Sequence, residues 1–350
     1  MGQSFSGAVL NNTNKPLSIV KDVLLPDLRK GQVLVKIAFS GVCHSQLMEI
    51  GGHRGEDKFL PHFLGHEASG YVVSIGPLVK KVKIGQPIIL SWIKSSGAET
   101  GGCDYICESG NKINAGPIAT FNEYAVVSEN RCVPMPKGIP MDVAALFGCA
   151  ALTGGGIVKN TLRPKKNSTL AIFGLGGIGV TALMAAKNYD LKRIIVVDIN
   201  QSKLDAAIKF GADETINASK VNPLKHIREL TNHHGVDYSI DSAGLTKTIE
   251  QAFSAVKLNG GISVFASHPK FGNKIKLDPF ELISGKKILG SWGGSAKPDH
   301  DIPHFCKLYK QGKFPIDQLI TKIYKLKDIN DAISDLASGK VMRPIIKISA

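Results

Sequence analysis

The run Gly174-Leu175-Gly176-Gly177-Ile178-Gly179 constrains this chain more than any other. Ahead of it, Ser168-Thr169-Leu170-Ala171-Ile172-Phe173 reads as a buried strand. Behind it, Val180-Thr181-Ala182-Leu183-Met184-Ala185-Ala186-Lys187 reads as a helix. Asp198 follows Gly179 by 19 residues, at the end of Arg193-Ile194-Ile195-Val196-Val197. A glycine turn alone can merely pack a helix on a sheet. Strand, turn, helix and spaced acid together predict a dinucleotide site, one glycine each for the tight turn, close approach to pyrophosphate and helix–strand packing. The pyrophosphate is expected at the helix N-terminus, where backbone N–H groups and the dipole favour an anion. Asp198 is expected to accept hydrogen bonds from the adenosine ribose. A carboxylate there repels a 2′-phosphate, so NAD is expected over NADP. Lys203 either reaches the same ribose or is an ordinary exposed helix lysine.

The pattern around the turn sets the fold class. From about 151 to 291, apolar runs at 168–173, 193–198, 214–217, 236–241, 261–266 and 286–291 alternate with helical stretches such as Ser202 to Phe210, closed by Gly211. That alternation predicts an α/β domain with a doubly wound parallel sheet of Rossmann type. Residues 1 to about 150 instead alternate short apolar strands, such as Val33-Leu34-Val35-Lys36-Ile37, with Gly and Pro turns, and read as mostly β. Residues 292–350 hold a helix, turns and a last strand, Pro344-Ile345-Ile346-Lys347-Ile348, and are expected to return to the first domain. Two domains suit a chain of 350 residues.

The formal net charge of +14 raises nucleic acid as a partner. The lysines are scattered, with no basic patch interleaved with aromatics, so none is expected. The charge is better suited to attracting an anionic cofactor or substrate. No run of 18 apolar residues exists, so no membrane span is expected. The first residues carry no secretory pattern. Gly2 and Ser6 loosely fit a myristoylation pattern, but Phe5–Leu10 reads as the first strand. The six cysteines are expected to be thiols or metal ligands in a cytoplasmic protein.

Three short motifs carry metal-ligand types: Gly41-Val42-Cys43-His44-Ser45, Gly65-His66-Glu67 and Gly148-Cys149-Ala150. Each alone is bland. Together they offer two thiolates and one imidazole, leaving a fourth tetrahedral position open, the set for which alcohol dehydrogenase is the standard example. With the glycine turn and the closing Gly339-Lys340-Val341-Met342-Arg343-Pro344, the chain resembles a zinc-dependent alcohol dehydrogenase of the medium-chain dehydrogenase/reductase superfamily. The resemblance implies a GroES-like, mostly β catalytic domain (1–150 and 292–350) and an NAD-binding Rossmann domain (151–291). It implies that Cys43, His66 and Cys149 bind one catalytic zinc. Glu67 corresponds to a carboxylate beside the metal, and Ser45 to the hydroxyl that takes the substrate proton. His44 and Arg343 correspond to residues that contact the cofactor pyrophosphate. Hydride would pass between an alcohol and NAD, with an aldehyde or ketone as product, in a homodimer or homotetramer.

The chain departs from that pattern in places. Gln46 replaces an aspartate that orients the ligand histidine, and the amide can accept a hydrogen bond but brings no charge. Met48 replaces a histidine that ends the proton relay. The path then runs through a ribose hydroxyl, His44, His53 or water, or Met48 lines the substrate channel instead. The segment Ser91 to Thr120 keeps only Cys103 and Cys107 of a four-cysteine cluster, so no structural zinc is expected. Ser45, Met48 and Trp92 are candidate pocket residues, and an indole favours an apolar or aromatic alcohol. Two other readings stay open. One is a zinc-free reductase of the same superfamily, against which the ligand triad argues. The other is a catalytically weak NAD-binding scaffold or sensor.

Overall fold

A computed structural model describes residues 4–349; Gly2 lies outside them. The chain forms two compact units. One contains the residues up to Cys149, Lys297–Lys310 and the chain from Ile316 on, and the other contains Ala150–Ala296 and Gln311–Pro315.

In the second unit the apolar runs pair as six parallel strands. Their spatial order is Glu214–Asn217, Arg193–Asp198, Thr169–Phe173, Tyr238–Asp241, Ile262–Phe265, Lys287–Gly290. Numbered along the chain this is 3-2-1-4-5-6, the doubly wound order, which opens a crevice beyond the carboxyl ends of its first and fourth strands. Leu170, Ala171, Ile172 and Ile195 have no exposed surface, as expected of strands covered on both faces. The crossover helices start where the chain supplies caps. Asn200 accepts from the Lys203 N–H, so that helix runs Gln201–Lys209, one residue earlier than its hydrophobic pattern suggests. Asn222 accepts from the N–H groups of Leu224 and Lys225, and Pro223 takes the first helical position.

One segment was not legible in advance. Ala151–Gly155 and Ile157–Leu162 wind with the wide π pitch. A Cβ on Gly154 would lie 2.1 Å from Thr181 Oγ1 and 2.2 Å from the Ile178 carbonyl. The segment therefore packs backbone to backbone on helix Gly177–Ala186. Thr181 Oγ1 also donates to the Ala150 carbonyl, at 2.8 Å.

The first unit contains a five-stranded and a seven-stranded sheet. The long strand Gln32–Gly41 lies at the middle of the larger one, antiparallel to Glu67–Ile75, Tyr124–Ser128 and Arg343–Lys347. The last strand thus joins the sheet of the first unit. Cys103 and Cys107 pack with Phe5, Phe63 and Tyr105 in a core cluster, and burial pushes the Cys103 thiol up to about 11. Among the described residues no single helix is long and apolar enough to cross a membrane.

Candidate active site

The three ligand motifs converge within the first unit. Strand Gln32–Gly41 leads through Val42 to Cys43, the N-cap of helix His44–Ile50. The Gln46 side chain reaches back to accept from the Cys43 N–H at 2.8 Å, closing a reciprocal cap. Gly65 has φ +94°, and a Cβ there would lie 2.3 Å from Thr120 Oγ1, so only glycine turns the chain this way into His66. Cys149 ends the short turn Leu146–Gly148. The ligand atoms of Cys43, His66 and Cys149 all lie within 4.8 Å of one another. His66 Nδ1 is taken up by Gln46 at 2.6 Å, while His66 Nε2 is buried with no hydrogen-bond partner. A buried ring nitrogen left unpaired beside two sulfurs fits a metal ligand, and the S, S, N set suits zinc with one open position.

Local charge prepares the sulfurs. The Cys149 thiol donates to Cys43 and holds Cys43 well below the ordinary thiol range. The same contact pushes Cys149 up, so the pair shares a proton that a bound zinc would displace. The Arg343 guanidinium pulls both sulfurs down. Arg343 is 2% exposed and is ion-paired with Glu67, which is fully buried. The pair was not foreseen, because 276 residues separate its members. Glu67 thus faces a guanidinium, and Arg343 would have to turn from that carboxylate to meet a pyrophosphate.

The remaining predicted residues are spread along the same elements. Ser45 Oγ lies 3.5 Å from His66 Nδ1. His44 is exposed at the start of the helix, and Met48 is half-buried one turn further on. The Trp92 ring meets the His66 ring edge to face, with centroids 6.4 Å apart. The Trp92 carbonyl accepts from the buried Arg131 guanidinium.

In the glycine turn of the second unit, each glycine meets different surroundings. Gly174 has φ +91°. A Cβ on Gly179 would lie 1.9 Å from the Gly174 carbonyl, so helix and turn touch. A Cβ on Gly176, the N-cap of Gly177–Ala186, would meet nothing within 4 Å, which leaves space over the helix N-terminus. Gly177 and Ile178 form the first turn of that helix. Asp198 ends its strand and accepts from the Leu175 N–H at 2.7 Å and the Asn200 N–H at 2.9 Å. Lys203 is half-buried in the first turn of the next helix. These residues fit a dinucleotide: an uncapped helix N-terminus, an open approach and a carboxylate at the neighbouring strand end.

Alcohol dehydrogenase GroES-like domains match residues 29–137 and zinc-binding dehydrogenases match residues 177–311. The chain is 31% identical to an alcohol dehydrogenase class-3 of Dictyostelium discoideum, over 97% of each chain. This chain belongs to the zinc-dependent alcohol dehydrogenase family. It is 30% identical to an S-(hydroxymethyl)glutathione dehydrogenase of Escherichia coli, over 97% of this chain and 98% of that one. The benzyl alcohol dehydrogenase of Acinetobacter calcoaceticus superposes with a TM-score of 0.91 at 30% identity, over 99% of this chain and all of that one. Alcohol dehydrogenases of this family transfer hydride between an alcohol and NAD and use zinc, and this chain is such an oxidoreductase. The scaffold reading is not favoured, since full-length relatives are named enzymes and the ligand triad is assembled.

Proposed function

We propose that this alcohol dehydrogenase oxidises apolar or aromatic alcohols, with Cys43, His66 and Cys149 holding its one catalytic zinc. The observation that carries the reading is the partly buried S, S, N cluster, with the buried His66 Nε2 unpaired and the Trp92 ring edge to face with that imidazole. Zinc held there supplies Lewis acidity toward the alcohol oxygen, and NAD supplies the hydride acceptor. Ser45 takes the hydroxyl proton, and with Met48 where a relay histidine would stand, His44 or water carries it on. Trp92 presents an apolar ring that orients a hydrocarbon substituent and excludes water. Met48 lines the same pocket. Arg343 compensates the buried charge of Glu67 and favours the thiolate form of both cysteines. Gly174, Gly176, Gly177, Ile178 and Gly179 cradle the pyrophosphate, and Asp198, with Lys203, takes the adenosine ribose and rejects a 2′-phosphate.

A screen of NAD reduction tests the substrate class. Benzyl-type and long primary alcohols should give the highest kcat/KM, with polyols and S-hydroxymethylglutathione poor and NADP ineffective. A preference for polyols or for the glutathione adduct would contradict the role given to Trp92. We also propose a homodimer. Strand Lys287–Gly290 pairs on one side only among the described residues, and Phe280, Ile283, Leu289 and Trp292 in that stretch are exposed. A monomer in sedimentation at micromolar concentration would contradict it. All six cysteines are free thiols, which suits the cytoplasm.

A further inference from the structure

Strand Pro87–Ser91 ends at Ser91, whose pairing with Glu67 closes its ladder with Glu67–Ile75. Trp92 is the first residue beyond it, in an irregular bend, so its carbonyl must find a donor outside the sheet. Ser91 holds the bend from one side. Its hydroxyl accepts from the Ile93 N–H at 3.1 Å and donates to the Gly148 carbonyl, next to Cys149, at 2.7 Å. Arg131 holds it from the other. That side chain is 6% exposed, and its Nη1 donates to the Trp92 carbonyl, 39 residues away. Nη2 of the same fork reaches Glu99 Oε2 at 3.3 Å. Glu99 lies on the segment that leaves Trp92, so a ring closes from Trp92 through Glu99 and Arg131 back to Trp92. Lys94 Nζ and Asn130 Nδ2 also meet Glu99 Oε2, at 2.9 and 3.3 Å. The Lys94 contact above all holds the Glu99 carboxyl down at about 2, so it is ionised at neutral pH. Glu129 pins the same segment, accepting from the Ala98 N–H at 2.9 Å and from the N–H groups of Lys80 and Lys81 at 2.6 Å.

A buried guanidinium is a poor source of stability, since a hydrophobic side chain of similar volume is often as stable. Arg131 Nε is, moreover, buried with no hydrogen-bond partner. What the group supplies is geometry, two donors in one rigid plane. Fixing the Trp92 peptide fixes the direction in which its side chain leaves the backbone. The indole then stands edge to face with His66, with centroids 6.4 Å apart. Resting on the reading of Trp92 as a pocket wall, we propose that Arg131 is a positioning residue for substrate specificity, with Glu99 holding its fork to the Trp92 carbonyl. The alcohol it selects is one whose ring or chain lies flat against an indole with a held backbone.

Two substitutions in the zinc-loaded full chain test this. Arg131→Met removes fork and charge. Arg131→Lys keeps a buried cation opposite Glu99 but lacks the planar fork, and it decides the matter if Arg131→Met fails to fold. In both, kcat/KM for benzyl alcohol relative to ethanol should fall about tenfold, through KM, while the ethanol values hold. A merely structural role lowers both alcohols by one factor. A second readout needs no turnover. The chain has two tryptophans, so Trp292→Phe leaves Trp92 as its one indole. In that background both substitutions should raise acrylamide quenching of Trp92 and lower its fluorescence anisotropy. Equal losses for the two alcohols, or unchanged quenching and anisotropy in Arg131→Lys, overturn the proposal. Trp92→Ala tests the pocket reading by itself. An unchanged alcohol ratio there removes the pocket wall, whereas a lowered ratio there beside an unchanged one in Arg131→Lys removes only the role of Arg131.

Discussion

At the scale of single residues, buried charge decides which side chains are replaceable. Arg343 and Glu67 are both almost wholly out of water, and each compensates the other. Removing one member of such a pair leaves an isolated buried charge, at a cost of about 3–5 kcal/mol. Arg343→Gln should lower unfolding stability by that order in denaturant titration and reduce zinc content, because the cysteines lose the cation that favours their thiolates. Stability within about 0.5 kcal/mol of wild type would contradict the pairing, since changes of that size belong to surface positions. Asp241 is the opposite case, a buried carboxyl whose burial pushes its pKa from 3.8 to about 6. The unfolded chain ionises this group first, so its favourable contribution is complete below pH 4 and is lost as pH rises through 6. The loss amounts to at most about 3 kcal/mol, from roughly two pH units of displacement. Asp241→Asn, which keeps an acceptor for the Gly244 N–H at 3.1 Å, should flatten stability between pH 4 and 6. An unaltered slope in that window would rule out Asp241 as its source.

At the scale of elements, two glycines of one turn should respond differently to the same methyl group. On Gly179 the methyl meets the Gly174 carbonyl at 1.9 Å, so helix Gly177–Ala186 must move and Gly179→Ala should destabilise the fold by about 1–3 kcal/mol. On Gly176 it meets nothing, so Gly176→Ala should fold normally and lose about tenfold in NAD affinity, equivalent to one weakened hydrogen bond to an anion. Calorimetry for binding and thermal melts for stability separate the two. Equal melting losses in both would contradict the division of roles. The turn, its strands and its helices were legible because each is written in a continuous stretch with its own period and caps. The candidate ligands Cys43, His66 and Cys149 were legible because each sits in a short motif that contains a glycine. The unread features join distant stretches: Arg343 to Glu67, and Thr181 to Ala150. From sequence, Gln46 was a carboxylate lost; in the structure its amide meets both the Cys43 N–H and His66 Nδ1.

At the scale of the whole molecule, the account makes this an enzyme built around one metal. Cys103 and Cys107 belong to the hydrophobic packing of a β-sheet lobe, with Phe5 and Tyr105 edge to face at 5.3 Å between ring centres. On the proposed ligand set, metal content and turnover rest together on Cys43, His66 and Cys149. The most direct test is zinc per chain by mass spectrometry, set beside NAD reduction, for wild type and Cys43→Ala at saturating zinc. The account predicts one zinc per chain and alcohol-dependent NAD reduction in the wild type, and neither in Cys43→Ala, with NAD affinity preserved. NAD reduction that survives in Cys43→Ala, or two zinc ions per wild-type chain, would contradict it.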